Sequence, residues 1–373
     1  MALSRPLSAE ANISLARLLH LDLPLLVGLC LLAGVGLVVL YSAGGQDPAI
    51  VARQLVRLAL GFGAMGIFAQ ISPHYLERAA PWVYGMGVLL LLAVLVAGDV
   101  GKGAQRWLNL GVLRFQPAEV MKMAMPMAIS WLLAAGTLPP RLGRLLLAAF
   151  MLLIPVFLIV RQPDLGTALL VAAAGAFVLL LAGMSWWIIG LLLAALAALA
   201  PLVWHLLRDY QRDRVLMFLN PESDPLGAGY HIIQSKIAIG SGGLYGKGWL
   251  NGTQAHLDFI PERHTDFIFA VLAEEFGLVG EILLLLLYLF VVARGLYIAN
   301  QSITSYGRLL AGSLTLTFFV YVFVNLGMVS GLLPVVGVPL PLISYGGTSL
   351  VTLMAAFGIL MSVQAHSKYS LCS

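Results

Sequence analysis

The sequence predicts an all-α polytopic membrane protein of about ten transmembrane helices, with a large extracytoplasmic loop between the seventh and eighth. Three observations carry this. The chain is 60% hydrophobic and only 10% charged, whereas soluble domains run at about 25% charged. Its mean hydropathy is +0.95. Its apolar residues fall into long runs, each near the length of about 20 residues that a bilayer-crossing helix needs. Lipid offers backbone groups no partners, so such runs must close their own hydrogen bonds as helices.

In order, the runs are 22–42, 51–71, 80–98, 116–135, 144–161, 165–184, 186–207, 267–293, 306–330 and 347–366. The first is too long for a signal-peptide core and follows a polar-to-mixed stretch, so it is expected to stay as a mature helix. The whole chain, 1–373, reads as one transmembrane domain. An even number of spans puts both termini on one side, and Lys/Arg placement should then choose that side. The cations fall on both sides. Those opposite the termini (Arg53, Arg57, Lys102, Arg106, Arg114, Lys122 and Arg161) sit among acids in structured segments and read as functional. Charge counting therefore leaves the orientation open. The net charge of +4 is small and argues against nucleic-acid binding. Cys30 and Cys372 lie in the first apolar run and at the C-terminal tip, so no disulfide framework is implied.

Residues 208–266 form the long loop, and long loops in compact domains are usually functional. Within it, Tyr230 to Ile239 reads either as a short helix lying on the bilayer or as loop packed on the bundle. The run Gly240 to Gly248 looks like a phosphate loop, but Ser241 holds the first glycine position and Gly248 the hydroxyl position, so a flexible turn is expected. Another Gly-rich segment, Gly101 to Asn109, carries Trp107, which suits a membrane interface. Pro334, Pro339 and Pro341 forbid a regular helix before Ser344. That segment reads as re-entrant or lining, which needs protein or a wet cavity around it.

The densest ionisable stretch is Gly252 to Phe267. It ends with Asp266, where loop becomes membrane, and a carboxylate at that depth is costly without a partner or a task. Thr265 or Asp266 as a helix N-cap is the bland alternative; the company of Glu262, Arg263 and His264 favours function. Glu274, Glu275 and Glu281 follow inside the apolar run. Glu274 and Glu281 would share one helix face to within about 20°; a structural ion pair is expected, a proton path being the rarer case. Pro117 opens a helix in which Glu119 and Lys122 can pair, or Lys122 can face an anionic head group with Glu119 holding it. Arg161 and Asp164 suit a helix end and a helix start. His256, Asp258, Glu262, His264 and Asp266 are metal-ligand types, yet without a Cys ligand or an i, i+4 His pair they fix no zinc geometry. A loosely held magnesium or manganese on carboxylates stays open.

The motifs Gly101-Lys102-Gly103-Ala104-Gln105-Arg106-Trp107, Phe115-Gln116-Pro117-Ala118-Glu119 and Gln162-Pro163-Asp164-Leu165-Gly166-Thr167 belong together with Pro221-Glu222-Ser223-Asp224-Pro225-Leu226-Gly227. Phe259 to Phe267 and Pro339-Leu340-Pro341-Leu342-Ile343-Ser344-Tyr345-Gly346-Gly347 complete the set. This ordered set resembles the shape, elongation, division and sporulation (SEDS) family of membrane glycosyltransferases, from the first helix to the last. The resemblance implies ten helices in the bacterial inner membrane, cytoplasmic termini and a periplasmic loop 208–266. It implies polymerisation of lipid II into glycan strands during cell elongation, with release of undecaprenyl diphosphate. It implies that Asp266 is the essential carboxylate. The partners it implies are a class B penicillin-binding transpeptidase and the elongation complex of MreB, MreC, MreD and RodZ.

On that reading the transfer inverts the donor anomeric carbon and Asp266 is the general base. Arg106, Trp107, Gln116, Glu119, Lys122, Asp164, Arg263 and His264 are the expected substrate-binding residues. Arg106, Lys122 and Arg263, or a divalent ion, would stabilise the departing diphosphate. Two rivals share much of the sequence signal: a lipid II flippase or transporter, and a non-catalytic scaffold for the transpeptidase.

Overall fold

A computed structural model describes residues 20–101, 104–109, 114–206, 212, 216, 229–256 and 262–369. The motif 221–227, Phe259 to Pro261 and Asp258 lie outside the described residues. Each of the ten predicted runs meets a helix. These are α1 (Leu23–Ala43), α2 (Pro48–Gln70), α3 (Pro73–Ala97), α4 (Pro117–Ala134), α5 (Leu142–Arg161), α6 (Leu165–Leu181) and α7 (Trp186–Leu206). After two loop helices, α8 (Tyr230–Gly242) and α9 (Thr253–His256), come α10 (Ile268–Gln301), α11 (Ser305–Val329) and α12 (Thr348–Tyr369). Seven of them are long and apolar enough to cross a membrane, among the described residues. The molecule is an all-α polytopic membrane protein.

Local chemistry sets the helix starts. Proline opens α1, α2, α3 and α4, where its missing N–H is no loss. The carboxylates of Asp22, Asp47 and Asp164 accept the first free N–H groups of α1, α2 and α6. In lipid, apolar burial alone does not drive helices together, so close packing and interhelical hydrogen bonds must. Tyr84 donates to the Met151 carbonyl at 2.8 Å, tying α3 to α5. Ser313 donates to the Ala174 carbonyl at 2.6 Å, tying α11 to α6. Helices α11 and α12 are the most enclosed spans and form the centre of the bundle. There Tyr288, Phe318 and Phe357 meet in series, the first pair tilted and the second edge-to-face, at ring separations of 5.8 and 5.0 Å.

Four details depart from the sequence reading. First, residues 99–115 hold short antiparallel strands where none was predicted: β1 (Asp99–Gly101), β2 (Ala104–Asn109) and β3 (Arg114–Phe115), in that order. Turns between strands this short leave no readable periodicity. Second, Tyr230–Gly242 is a helix, and it packs on the bundle: buried Ser235 donates to the Val329 carbonyl of α11 at 2.8 Å.

Third, the Gly-rich turn is pinned rather than flexible. Helix α10 breaks at Gly277 (φ 62°, ψ −164°). The turn fills the break: Leu278 and Val279 donate backbone N–H groups to the Gly243 and Leu244 carbonyls, and Lys247 and Gly248 donate to the Glu274 and Glu275 carbonyls, all at 3.0–3.1 Å. Side chains have no room here, because a Cβ on Gly277 would collide with the Gly246 nitrogen and one on Gly246 with the Glu275 carbonyl. Fourth, this break separates Glu274 from Glu281, so the two do not share a continuous helix face.

Candidate active site

The strands, the starts of α4 and α6, the side of α2 and the segment before α12 enclose a cavity of about 450 Å³. Its wall includes Arg106, Trp107, Gln116, Glu119, Lys122 and Asp164, so six of the predicted substrate residues converge although up to 58 positions separate them (164 − 106). Asp164 caps α6 by accepting from the Thr167 N–H at 3.2 Å, and its other oxygen accepts from Gln116 Nε2 at 2.9 Å. Arg106 lies 3.8 Å from that carboxylate and donates to the Pro163 carbonyl at 2.6 Å. The helix-end role read for Asp164 and a place in the site are therefore both filled by one residue.

Lys122 and Glu119 form a buried pair at 2.6 Å, one turn apart on α4. Thr352 of α12 donates to the other Glu119 oxygen at 3.1 Å, and the Lys122 ammonium sits 5.0 Å from the Tyr321 ring centre. A buried charge this well paired is tolerable; either partner alone would not be. The pair expected from helical spacing is therefore formed, and it lies in the cavity wall.

Asp266 stands at the cavity edge. Gly337 lines the cavity, and a Cβ built there would lie 3.6 Å from Asp266 Oδ2. The N-cap of α10 is Phe267, with no capping side chain, so the N-cap expected at Thr265 or Asp266 is not what forms. Instead three successive carbonyls are captured. His264 O accepts from the Tyr345 N–H at 2.8 Å, Thr265 O from Ser344 Oγ at 2.6 Å, and Asp266 O from Asn325 Nδ2 at 2.9 Å. Asn325 also donates to the Val338 carbonyl at 2.7 Å, and Tyr288 to the Pro341 carbonyl at 2.6 Å. The proline segment is therefore a lining segment embedded in protein, and it forms the rail on which Asp266 is laid.

His264 and Arg263 do not line the cavity. The His264 ring meets the edge of Tyr345 at 6.0 Å, and Arg263 Nη2 points toward Gly45 at the α1–α2 junction. Two of the intramembrane acids, Glu274 and Glu275, are held by structural contacts. Glu274 pairs with Lys247 at 2.6 Å and accepts from Thr253 at 3.0 Å, and Ser42 donates to Glu275. His231 of α8 stacks on Phe267 at 5.7 Å; burial pushes its pKa below the ordinary histidine range against the opposing pull of Glu262. Sequence reasoning missed Tyr321 and Asn325, which carry no local signal, and gave Thr167 and Tyr345 no role beyond membership of their motifs. It listed Arg57 among the cations that read as functional, without a specific role.

No three His, Cys, Asp or Glu side chains come together as a metal site among the described residues. The two cavity carboxylates are committed, Glu119 to Lys122 and Asp164 to Gln116 and an N–H, so they do not fit an open magnesium or manganese site.

The family model described as FtsW/RodA/SpoVE cell cycle protein matches residues 16–369. The chain belongs to the SEDS family. Among SEDS relatives, the peptidoglycan glycosyltransferase MrdB of Escherichia coli K12 is 54% identical over 94% of this chain and 95% of its own length. The peptidoglycan glycosyltransferase RodA of Treponema pallidum is 31% identical over 92% and 98%. A structure titled as coordinating polymerization and crosslinking in a peptidoglycan synthase complex matches with TM-score 0.81, 38% identity, and 93% and 98% coverage. The crystal structure of the rod-shape-determining protein RodA of Thermus thermophilus matches with TM-score 0.70, 33% identity, and 92% and 96% coverage. Both structures share the fold described above.

Proposed function

We propose that this protein is a peptidoglycan glycosyltransferase that polymerises lipid II into glycan strands during cell elongation. The observation that carries the reading is the single cavity that gathers six of the expected substrate residues, with Asp266 held at its edge. The names of the SEDS relatives support the reaction class.

In the reaction, the acceptor 4-hydroxyl attacks the anomeric carbon of the donor saccharide. The bond from that carbon to the diphosphate oxygen breaks, its electron pair leaves on undecaprenyl diphosphate, and the hydroxyl proton passes to Asp266. Attack from the face opposite an α-linked diphosphate inverts the centre, so one base suffices. Asp266 is suited to the task because its own carbonyl and the two before it are fixed, which holds the carboxylate ready at low entropic cost. Diphosphate leaves readily and asks only for positive charge where its own charge develops. Trp107 offers an apolar face to the saccharide or its lipid; Gln116, Asp164 and the Glu119–Lys122 pair offer hydrogen-bonding groups to sugar hydroxyls. Arg263 and His264 act from outside the cavity, at the acceptor's approach.

The protein sits in the bacterial inner membrane with cytoplasmic termini, and its loop 208–266 faces the periplasm. Its partner is a class B penicillin-binding transpeptidase, within the elongation complex of MreB, MreC, MreD and RodZ. The synthase-complex title of the similar structure supports the crosslinking partner.

Lipid II polymerisation by purified wild-type protein and Asp266→Ala decides the matter. Loss of glycan strands, with expression and transpeptidase binding retained, is the expected result. Persisting polymer would remove the base; lipid II crossing sealed vesicles without polymer would favour a flippase.

A further inference from the structure

We propose that Arg57, with Arg53 one turn away, binds the diphosphate of the polyprenyl-linked substrate. The inference rests on the glycosyltransferase reading and names the cation that reading leaves open. Arg57 lies nine residues past Pro48, the start of α2, which is about 14 Å along the helix. Its neighbours Val56 and Leu60 are more than half exposed on the outer face of the bundle. An arginine within an apolar span marks a functional path unless it is paired.

Among the described residues, neither Arg57 nor Arg53 has a carboxylate within ion-pair reach. What they share is Tyr345. The Arg57 guanidinium carbon lies 4.0 Å from the Tyr345 ring centre, and Arg53 Nε donates to the Tyr345 hydroxyl at 3.3 Å. A cation over a ring recovers on the order of 1 kcal/mol, which orients a guanidinium without neutralising it. The other cavity cations are already committed: Lys122 to Glu119 at 2.6 Å, and Arg106 to Asp164 and the Pro163 carbonyl. Arg57 therefore brings uncompensated positive charge into the cavity wall. Its planar fork matches two phosphate oxygens at once, and Arg53, four residues earlier on the same face, reaches a second phosphate.

The placement also fits the chemistry. The Tyr345 N–H holds the His264 carbonyl, two residues from Asp266. One aromatic residue thus contacts both arginines and the turn that carries the base. A diphosphate on Arg57 would share a chamber with the edge where Asp266 stands.

Bilayer phospholipids offer the same phosphate-ester chemistry, so the test must separate the two sources. Farnesyl diphosphate, a soluble polyprenyl diphosphate, is titrated calorimetrically into the full-length protein in phosphatidylcholine nanodiscs, with and without phosphatidylglycerol. Arg57→Gln is expected to weaken binding about tenfold, and Arg53→Gln less. Arg57→Lys, which keeps the charge over Tyr345 and serves as the folded comparison, should recover part of the loss. The readout is binding of a compound that carries no sugar to transfer, so the outcome stands apart from the fate of the proposed base. Wild-type affinity in Arg57→Gln overturns the proposal. So does competition by phosphatidylglycerol, which would assign the arginines to bilayer headgroups.

Discussion

Asn325 holds the backbone carbonyl of Asp266 at 2.9 Å from a fully buried position on α11. The same amide nitrogen holds Val338 O at 2.7 Å, so one side chain aligns the proposed base with the lining segment. Replacing it by leucine removes this donor from both carbonyls, at a cost of about 1–3 kcal/mol for each buried group left unsatisfied. Asn325→Leu should melt at lower temperature and polymerise lipid II poorly even where it remains folded. Wild-type polymer yield would show that the alignment is dispensable.

Glu119 and Lys122 should behave as a unit. Lys122→Met strands a buried carboxylate, and removing one partner of such a pair costs about 3–5 kcal/mol. Adding Glu119→Gln removes that charge, so the double variant should regain thermal stability. It should stay inactive if the pair also contacts substrate. Recovery of stability and polymerisation together would reduce the pair to a structural role.

His231 supplies a pH dependence. Its pKa is lowered by burial against Phe267, with Glu262 opposing. A histidine held below its unfolded value of about 6.5 is neutral in both states above that pH, so nothing changes there. As pH falls below it, the unfolded or undocked form takes up the proton more readily, and docking of α8 weakens. Hydrogen exchange in Tyr230–Gly242 should therefore quicken between about pH 6.5 and 5 in wild type. It should be nearly flat over that range in His231→Phe.

Gly277→Ala tests the break in α10. The backbone there has φ 62°, and the new methyl would strike the Gly246 nitrogen. The turn 243–248 must then leave its four hydrogen bonds. A lower melting temperature and proteolytic cutting within that turn are expected; an unchanged digest would mean the turn holds by other means.

The spans were legible because lipid demands about 20 apolar residues per helix, and the chain complies. The Glu119–Lys122 pair was legible because helical spacing alone brings i and i+3 together. The Gln116–Asp164 contact was not, since it joins two helix starts 48 positions apart. Nor was the break at Gly277. A lone glycine in an apolar run reads as helix, and the turn that fills the gap comes from more than 30 positions earlier (277 − 246 = 31). Arg57 was visible as a cation, but only the folded wall shows that its neighbours' charges are already matched.

The break has a mechanical result. An unbroken helix of 34 residues would measure about 51 Å, well beyond a hydrocarbon layer of about 30 Å. Divided at Gly277, the inner 24 residues, Leu278 to Gln301, are about 36 Å long and alone must match bilayer thickness by tilting. The outer nine, Ile268 to Phe276, are moored to the glycine turn and the proline rail. Thickening or thinning of the membrane is absorbed below the joint, so the aspartate keeps its aim while the bilayer around it breathes.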